Sequence, residues 1–151
     1  MRPSSCCAAL VLFASAAAVS VAVVGCDRGP EIVPVTGTVL YNGEPLPFGS
    51  VTLQPPSGQP ARGEIRGDGT FELSTYRRGD GAVVGKHKVK IACYESQHPA
   101  AVKGPGEQSL GRSLIPTNYT LLDQSGLVAE VRPGENEPFV FDLSGPAASF
   151  R

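Results

Sequence analysis

From residue 32 onward, apolar residues alternate with polar ones, and this period of two limits what the chain can fold into. Successive side chains of a β-strand point to opposite faces, whereas a helix that buries one face repeats every 3.6 residues. We find no convincing helical period after residue 32. The 18 glycines and 14 prolines of the 151-residue chain supply many turns. The sequence therefore predicts one all-β domain of short strands.

Seven strands are predicted, and together they indicate an antiparallel β-sandwich. They are separated by turns such as Asn42-Gly43, a strong hairpin signal. Lys86, Lys88 and Lys90 are expected to face water from one strand, because the residues between them are mostly apolar. The side chains expected to form the core are Val33, Val35, Val39, Tyr41, Val51, Leu53, Ile65, Phe71, Leu73, Val89, Ile91, Cys93, Phe139, Phe141 and Leu143.

The turn at Asp68-Gly69 can be assigned from the register of its flanking strands. A two-residue loop would set the inward-facing Ile65 opposite an outward-facing residue. A three-residue loop that also includes Gly67 sets Ile65 opposite Phe71 and keeps both on the core face. We therefore expect the three-residue loop, with Gly69 in the left-handed conformation.

The first 25 residues have the pattern of a signal peptide, which would form a helix ahead of the domain. Arg2 is the only charged residue before Asp27, and the apolar run over 8–24 is rich in alanine and interrupted by Ser15 and Ser20. A membrane-spanning helix needs about 20 strongly apolar residues. A removed signal peptide therefore fits this segment better than a retained anchor.

Val23-Val24-Gly25-Cys26 resembles a bacterial lipobox, in which a small residue precedes a cysteine that receives diacylglycerol before cleavage. The resemblance implies cleavage between Gly25 and Cys26 and lipidation of Cys26, and two or more acyl chains give stable membrane anchoring. A plain secretory signal and a retained anchor are the other two interpretations. The implied organisation is a signal peptide over 1–25, a tether over 26–31, a sandwich domain over 32–144 and a tail over 145–151.

The cysteine positions agree with a lipoprotein. Cys6 and Cys7 would leave with the signal peptide, and Cys26 would carry lipid. Only Cys93 would then remain in the domain, and a single cysteine cannot form an internal disulfide. The domain must therefore rest on its hydrophobic core.

Three stretches of the chain resemble the carboxypeptidase regulatory-like domains, which are transthyretin-like β-sandwiches. The stretches are VTGTVLYNGEPLPFGSVTL, GTFELSTYRRGDGAVVGKHKVKI and IPTNYTLLDQSGLVAEVRPGENEPFVFDL. The chain is similar in particular to small lipoproteins of planctomycete-type bacteria that carry one such domain. The resemblance implies a seven-stranded sandwich with no cofactor, and it says little about activity because a fold does not determine a function.

Few side chains suggest catalysis or metal binding. His87 and Cys93 are six residues apart on one predicted strand. At about 3.3 Å per residue they are separated by about 20 Å, too far to share a metal ion. Cys93 and His98 could meet across a loop, but two ligands make a poor site. The chain also lacks the Tyr-Arg-Gly-Ser ending of the transthyretin-related hydrolases. We therefore expect no catalytic residue, no metal ion and no cofactor.

The expected function is that of a non-catalytic lipoprotein of the cell envelope, anchored on the periplasmic face or at the cell surface. The net charge of −1 and the lack of a basic run longer than two residues argue against a nucleic-acid partner. An envelope protein is the expected partner, bound through the long segment 95–124 or unpaired edge strands. The alternative is a glycan-binding module that uses Tyr76, Tyr94 and Tyr119, which lie in or beside predicted loops.

Overall fold

The structure is a computed structural model that describes residues 29–101, 109–146 and 150. Its described residues form strands joined by turns, with two short 3-10 helices, so the prediction of an all-β fold is confirmed. The strands are β1 (Ile32–Val33), β2 (Thr36–Tyr41), β3 (Glu44–Pro45), β4 (Gly49–Gln54), β5 (Ala61–Ile65), β6 (Thr70–Glu72), β7 (Ala82–Val83), β8 (Gly85–Ala92), β9 (Leu127–Val131) and β10 (Phe139–Leu143). The 3-10 helices are η1 (Glu95–Gln97) and η2 (Thr117–Thr120).

Two four-stranded sheets make up most of the described chain. The first sheet is antiparallel throughout and has the strand order β5-β4-β8-β9. The second has the order β10-β2-β3, with β6 also paired to β2. A small third sheet joins β1 to β7 through two residue pairs. Buried side chains from both large sheets form one hydrophobic core, which gives the fold its sandwich-like character.

One strand pair departs from the predicted antiparallel arrangement. β10 runs parallel to β2, with Phe139 opposite Gly37 and Leu143 opposite Tyr41. The parallel register still places Phe141 beside Val39 on the buried face. An alternating pattern specifies which residues face the core, but it carries no information on strand direction, and this is why the sequence did not reveal the parallel pair.

The core consists of the residues that the alternation predicted. Every side chain predicted to face the core is buried except Phe139, which is half-buried. Leu46 and Phe48 are also buried, although the sequence placed them in a loop. The loop between β3 and β4 folds over the core and adds these two side chains, which are two residues apart, to it.

The predicted three-residue turn over 67–69 is confirmed, and Gly69 has a φ of +81°. The backbone N–H of Arg66 donates to the carbonyl of Thr70 at 2.8 Å, and the N–H of Arg62 donates to the carbonyl of Ser74 at 2.9 Å. Both bonds fit the register that sets Ile65 opposite Phe71. The two strands nevertheless belong to different sheets, because β6 pairs with β2 while β5 pairs with β4. The turn is therefore a corner that links the two large sheets.

The segment from residue 95 to residue 124 contains both 3-10 helices, and part of it is anchored to the first sheet. The backbone N–H of Leu114 donates to the carbonyl of Cys93 at 2.8 Å, and Ile115 is buried in the core. η2 then packs against β8. In its described part, this long segment packs against β8 and the residues that directly follow β8.

Candidate functional site

The predicted lipidation and cleavage positions, Cys26 and Gly25, lie outside the described residues. The first strand begins at Ile32, six residues after Cys26. In the part of the chain that the structure describes, no helix is both long and apolar enough to cross a membrane. Lipidation of Cys26 therefore stays a prediction of the sequence.

Cys93 lies in the core directly after β8, and its side chain is fully buried. Burial raises the pKa of the Cys93 thiol from 9.0 to about 12, because the low-dielectric core disfavours the thiolate. The thiolate is the nucleophilic form of cysteine, so the structure keeps this residue unreactive. Since the folded-state pKa is raised, the stability contributed by the neutral thiol is complete below pH 9 and is lost as the pH rises toward 12.

We expect iodoacetamide to leave Cys93 unmodified in the native full-length chain and to label it after unfolding in guanidinium chloride. At pH 8 a pKa of about 12 leaves about a thousandfold less thiolate than a pKa of 9.0. Mass spectrometry of the Cys93 peptide measures the labelling. A Ser57→Cys variant, in which the new thiol occupies an exposed loop, is the matched control and should react in the native state. Native labelling of Cys93 at the rate of this control would contradict the buried position.

His87 is also held inside the fold, at 1% exposure on β8. Its Nε2 lies 2.6 Å from the carbonyl oxygen of Val83, which can only accept, so the proton is on Nε2. His87 Nδ1 is buried and has no hydrogen-bond partner among the described residues. The imidazole thus attaches β8 to β7, and the described residues contain no group of three or more His, Cys, Asp or Glu side chains that could hold a metal ion.

The three tyrosines proposed for glycan contact occupy different environments. Tyr76 is 59% exposed in the loop after β6. Tyr94 is half-buried where the chain leaves β8, and Tyr119 is half-buried in η2, with its hydroxyl 3.3 Å from the backbone nitrogen of Ser144. Among the described residues, no aromatic pair joins two of these rings. One of the three rings is exposed and two are half-buried, and glycan contact by these tyrosines stays a prediction.

The loop that carries Tyr76 is organised by one carboxylate. Asp80 accepts hydrogen bonds from the backbone N–H groups of Thr75, Tyr76 and Arg77 at 2.7–2.9 Å. Burial raises the pKa of Asp80, but these N–H donors together outweigh burial and hold the pKa below its ordinary value. The side chains of Tyr76, Arg77 and Arg78 are therefore displayed to solvent from a fixed backbone.

Arg78 lies on the wall of an open groove of about 1080 Å³ beside β5. We call it the β5 groove. It is formed where β5, the corner to β6, the loop over 75–80 and η1 come together. Its charged and hydroxyl-bearing walls include Ser50, Arg62, Glu64, Arg66, Glu72 and Arg78.

The charges in the β5 groove are only partly paired. Arg66 and Glu72 form an ion pair at 3.3 Å, and both side chains are about half exposed or more. Arg62 and Arg78 form neither a salt bridge nor a side-chain hydrogen bond with any described residue. The hydroxyl of Ser96, on the opposite wall, is buried without a hydrogen-bond partner among the described residues. The arrangement suits a ligand that supplies both acceptors and donors.

Sequence reasoning did not find the β5 groove. The alternation over 62–66 correctly directed Glu64 and Arg66 to solvent. However, Arg78 and Ser96 come from segments 12 or more residues away along the chain, and only the folded structure brings them to β5. The cluster Tyr76-Arg77-Arg78 was the one available signal, since two adjacent arginines beside an exposed aromatic are typical of binding surfaces.

Comparison with known proteins gives no family for this chain. No protein-family model matches it, and neither the curated proteins nor the solved structures contain a match. The resemblance to the carboxypeptidase regulatory-like domains therefore stays a prediction.

Proposed function

We propose that this chain is a membrane-anchored, non-catalytic binding lipoprotein of the cell envelope. The observation that supports the binding role is the distribution of side chains between core and surface. Cys93 and His87, two residues suited to nucleophilic or acid–base chemistry, are inside the fold. The β5 groove instead presents guanidinium, carboxylate and hydroxyl groups at an open surface. Such a surface is suited to recognition by hydrogen bonds and charge.

The proposed fold is a seven-stranded sandwich of the transthyretin-like, carboxypeptidase regulatory-like type. The single core shared by two four-stranded sheets supports this assignment. β1, β3 and β7 have two residues each, and we regard them as additions to the seven longer strands.

The proposed anchor determines where a partner can lie. The tether over 26–31 has six residues, and a fully extended chain spans at most about 3.5 Å per residue, or about 20 Å. The domain would therefore stay close to the membrane, on the periplasmic face or at the cell surface. An envelope protein within that reach is the proposed partner, and a glycan of the envelope is the alternative.

We expect the native-host protein to begin at an acylated Cys26 and to sediment with membranes. Cys26→Ala removes the thiol that accepts the lipid, so this variant should stay uncleaved and carry no acyl chain. Intact mass and membrane fractionation measure both effects. Cys7→Ala, which changes a cysteine inside the predicted signal peptide, is the matched control and should behave as wild type. A soluble wild-type protein that begins at another residue would refute the anchor.

Glycan binding is the second candidate function, and a specific observation favours it. The β5 groove combines guanidinium groups that have no ion-pair partner among the described residues with hydroxyl and carboxylate groups, the mixture that contacts sugars with charged substituents. The exposed Tyr76 lies in the same loop as Arg78 and presents an aromatic face to solvent.

A further inference from the structure

We propose that the β5 groove binds an acidic polysaccharide, and that Arg62 and Arg78 recognise its carboxylate groups. The inference deepens the binding role proposed above, and it does not depend on the lipid anchor. It rests on three features of the groove: two guanidinium groups with no partner among the described residues, two hydroxyl groups whose O–H donors are unused there, and an edge strand whose backbone is bonded at Arg62 and Arg66.

The guanidinium groups give the charge preference. Arg62 and Arg78 face the same groove and have no ion-pair partner among the described residues, whereas Arg66 is held by Glu72 at 3.3 Å. A guanidinium donates two parallel hydrogen bonds to a carboxylate, and such charge-assisted pairs are about twice as strong as neutral ones. Two free guanidinium groups in one groove therefore favour a ligand with repeated carboxylates.

The hydroxyl groups indicate a sugar. The Ser50 hydroxyl accepts a hydrogen bond from the Gln97 amide at 3.3 Å, and the Ser74 hydroxyl accepts one from the Gly79 N–H at 2.9 Å. Each hydroxyl keeps its own O–H as a donor. Sugar hydroxyl groups can satisfy these donors and acceptors at the same time.

The Glu64 carboxylate, exposed in the same groove, distinguishes a sugar from a simple polyanion. The Glu64 carboxylate would repel a ligand that contacts the groove only through anionic groups. It can accept hydrogen bonds from sugar hydroxyl groups. A volume of about 1080 Å³ exceeds what one sugar ring fills, so the groove suits several residues of a chain.

The backbone of β5 argues against an extended peptide that adds to the sheet. Strand addition requires free N–H and C=O groups along the edge. On the side of β5 away from β4, the Arg62 N–H and C=O are both bonded to Ser74, and the Arg66 N–H is bonded to Thr70. An added strand could therefore not pair along the whole of β5, which favours recognition by side chains.

The test is binding of the full-length protein, solubilised in detergent, to polygalacturonate, measured by isothermal titration calorimetry. Highly methyl-esterified polygalacturonate, which has the same backbone without the charges, is the ligand control. The variant Arg62→Gln/Arg78→Gln removes both guanidinium groups, and Arg77→Gln/Arg132→Gln removes the same charge from exposed positions that do not line the groove. Poly-L-glutamate tests an acidic peptide. Thermal melting checks that every variant is folded.

We expect polygalacturonate to bind, the methyl ester to bind at least tenfold more weakly, and the groove variant to lose at least tenfold in affinity. The control variant should stay within about twofold of wild type, since it changes only the net charge. Equal loss in both variants would mean non-specific attraction and overturn the groove assignment. Tighter binding of poly-L-glutamate would overturn the sugar assignment, and failure of polygalacturonate to bind would overturn the proposal. None of these outcomes changes the fractionation result for Cys26, so the anchor is tested separately.

Discussion

Replacing Phe71 with alanine is expected to lower the free energy of unfolding by about 3–5 kcal/mol, the range measured for buried phenylalanines. The Phe71 side chain is 1% exposed and lies in the core between the two large sheets. Its ring stacks on Phe141 with a centroid distance of 6.0 Å. It also covers Gly37, where even a methyl group would touch the Phe71 ring. Because Gly37 has no side chain to move into the gap, the cavity would stay open, which puts the expected loss toward the upper end of the range.

The measurement is chemical denaturation of wild type and variant. The free energies of unfolding are compared provided that their dependence on denaturant concentration has the same slope in both proteins. Val140→Ala is the matched control, because Val140 lies on β10 in the same sheet but is 64% exposed. Its expected effect is within about 0.5 kcal/mol. A Phe71→Ala variant that loses less than about 1 kcal/mol would show that Phe71 does not fill the centre of the core.

Gly81→Ala is expected to cost at least about 3 kcal/mol, the second-largest effect, through strain and overlap together. Gly81 has a φ of +95°, a conformation that residues with a side chain rarely adopt. A Cβ atom at this position would also overlap the carbonyl oxygen of Val33. The overlap would push β1 away from β7, and backbone atoms in a two-stranded sheet cannot relax as a flexible side chain would.

The variant Gly58→Ala separates the contribution of backbone strain from that of steric overlap. Gly58 has nearly the same φ, +96°, but a Cβ atom there meets nothing within 4 Å. This control should therefore show the strain alone, about 1–2 kcal/mol. The difference in unfolding free energy between the two variants measures the close approach of Gly81 to β1. If the variants differ by less than about 0.5 kcal/mol, β1 is not packed against Gly81 as described.

The sequence predicted the fold class and the core from one physical rule. Alternation along a strand assigns each residue to a face. A face that carries Val51 and Leu53 must be buried, whichever other strands pack against it. The register argument at the turn over 67–69 worked for the same reason, because a slip of one residue would have exposed Phe71. These inferences depend only on neighbours in the chain.

The candidate site depends on residues that are distant along the chain, and it was therefore not predicted. Tyr76, Tyr94 and Tyr119 share a residue type, but the structure buries two of them in part and separates their environments. The β5 groove instead joins Arg62, Arg78 and η1, which share no motif.

The sequence by itself determined an all-β chain, the faces of its strands and the position of Cys93 on a core-facing side. The tertiary structure decided the parallel direction of β10, the assignment of β5 and β6 to different sheets, and the burial of Leu46 and Phe48 from the loop between β3 and β4. The reason is that periodicity records the side of a strand, whereas direction, sheet membership and the meeting of Arg62 with Arg78 follow from contacts between segments far apart in the chain.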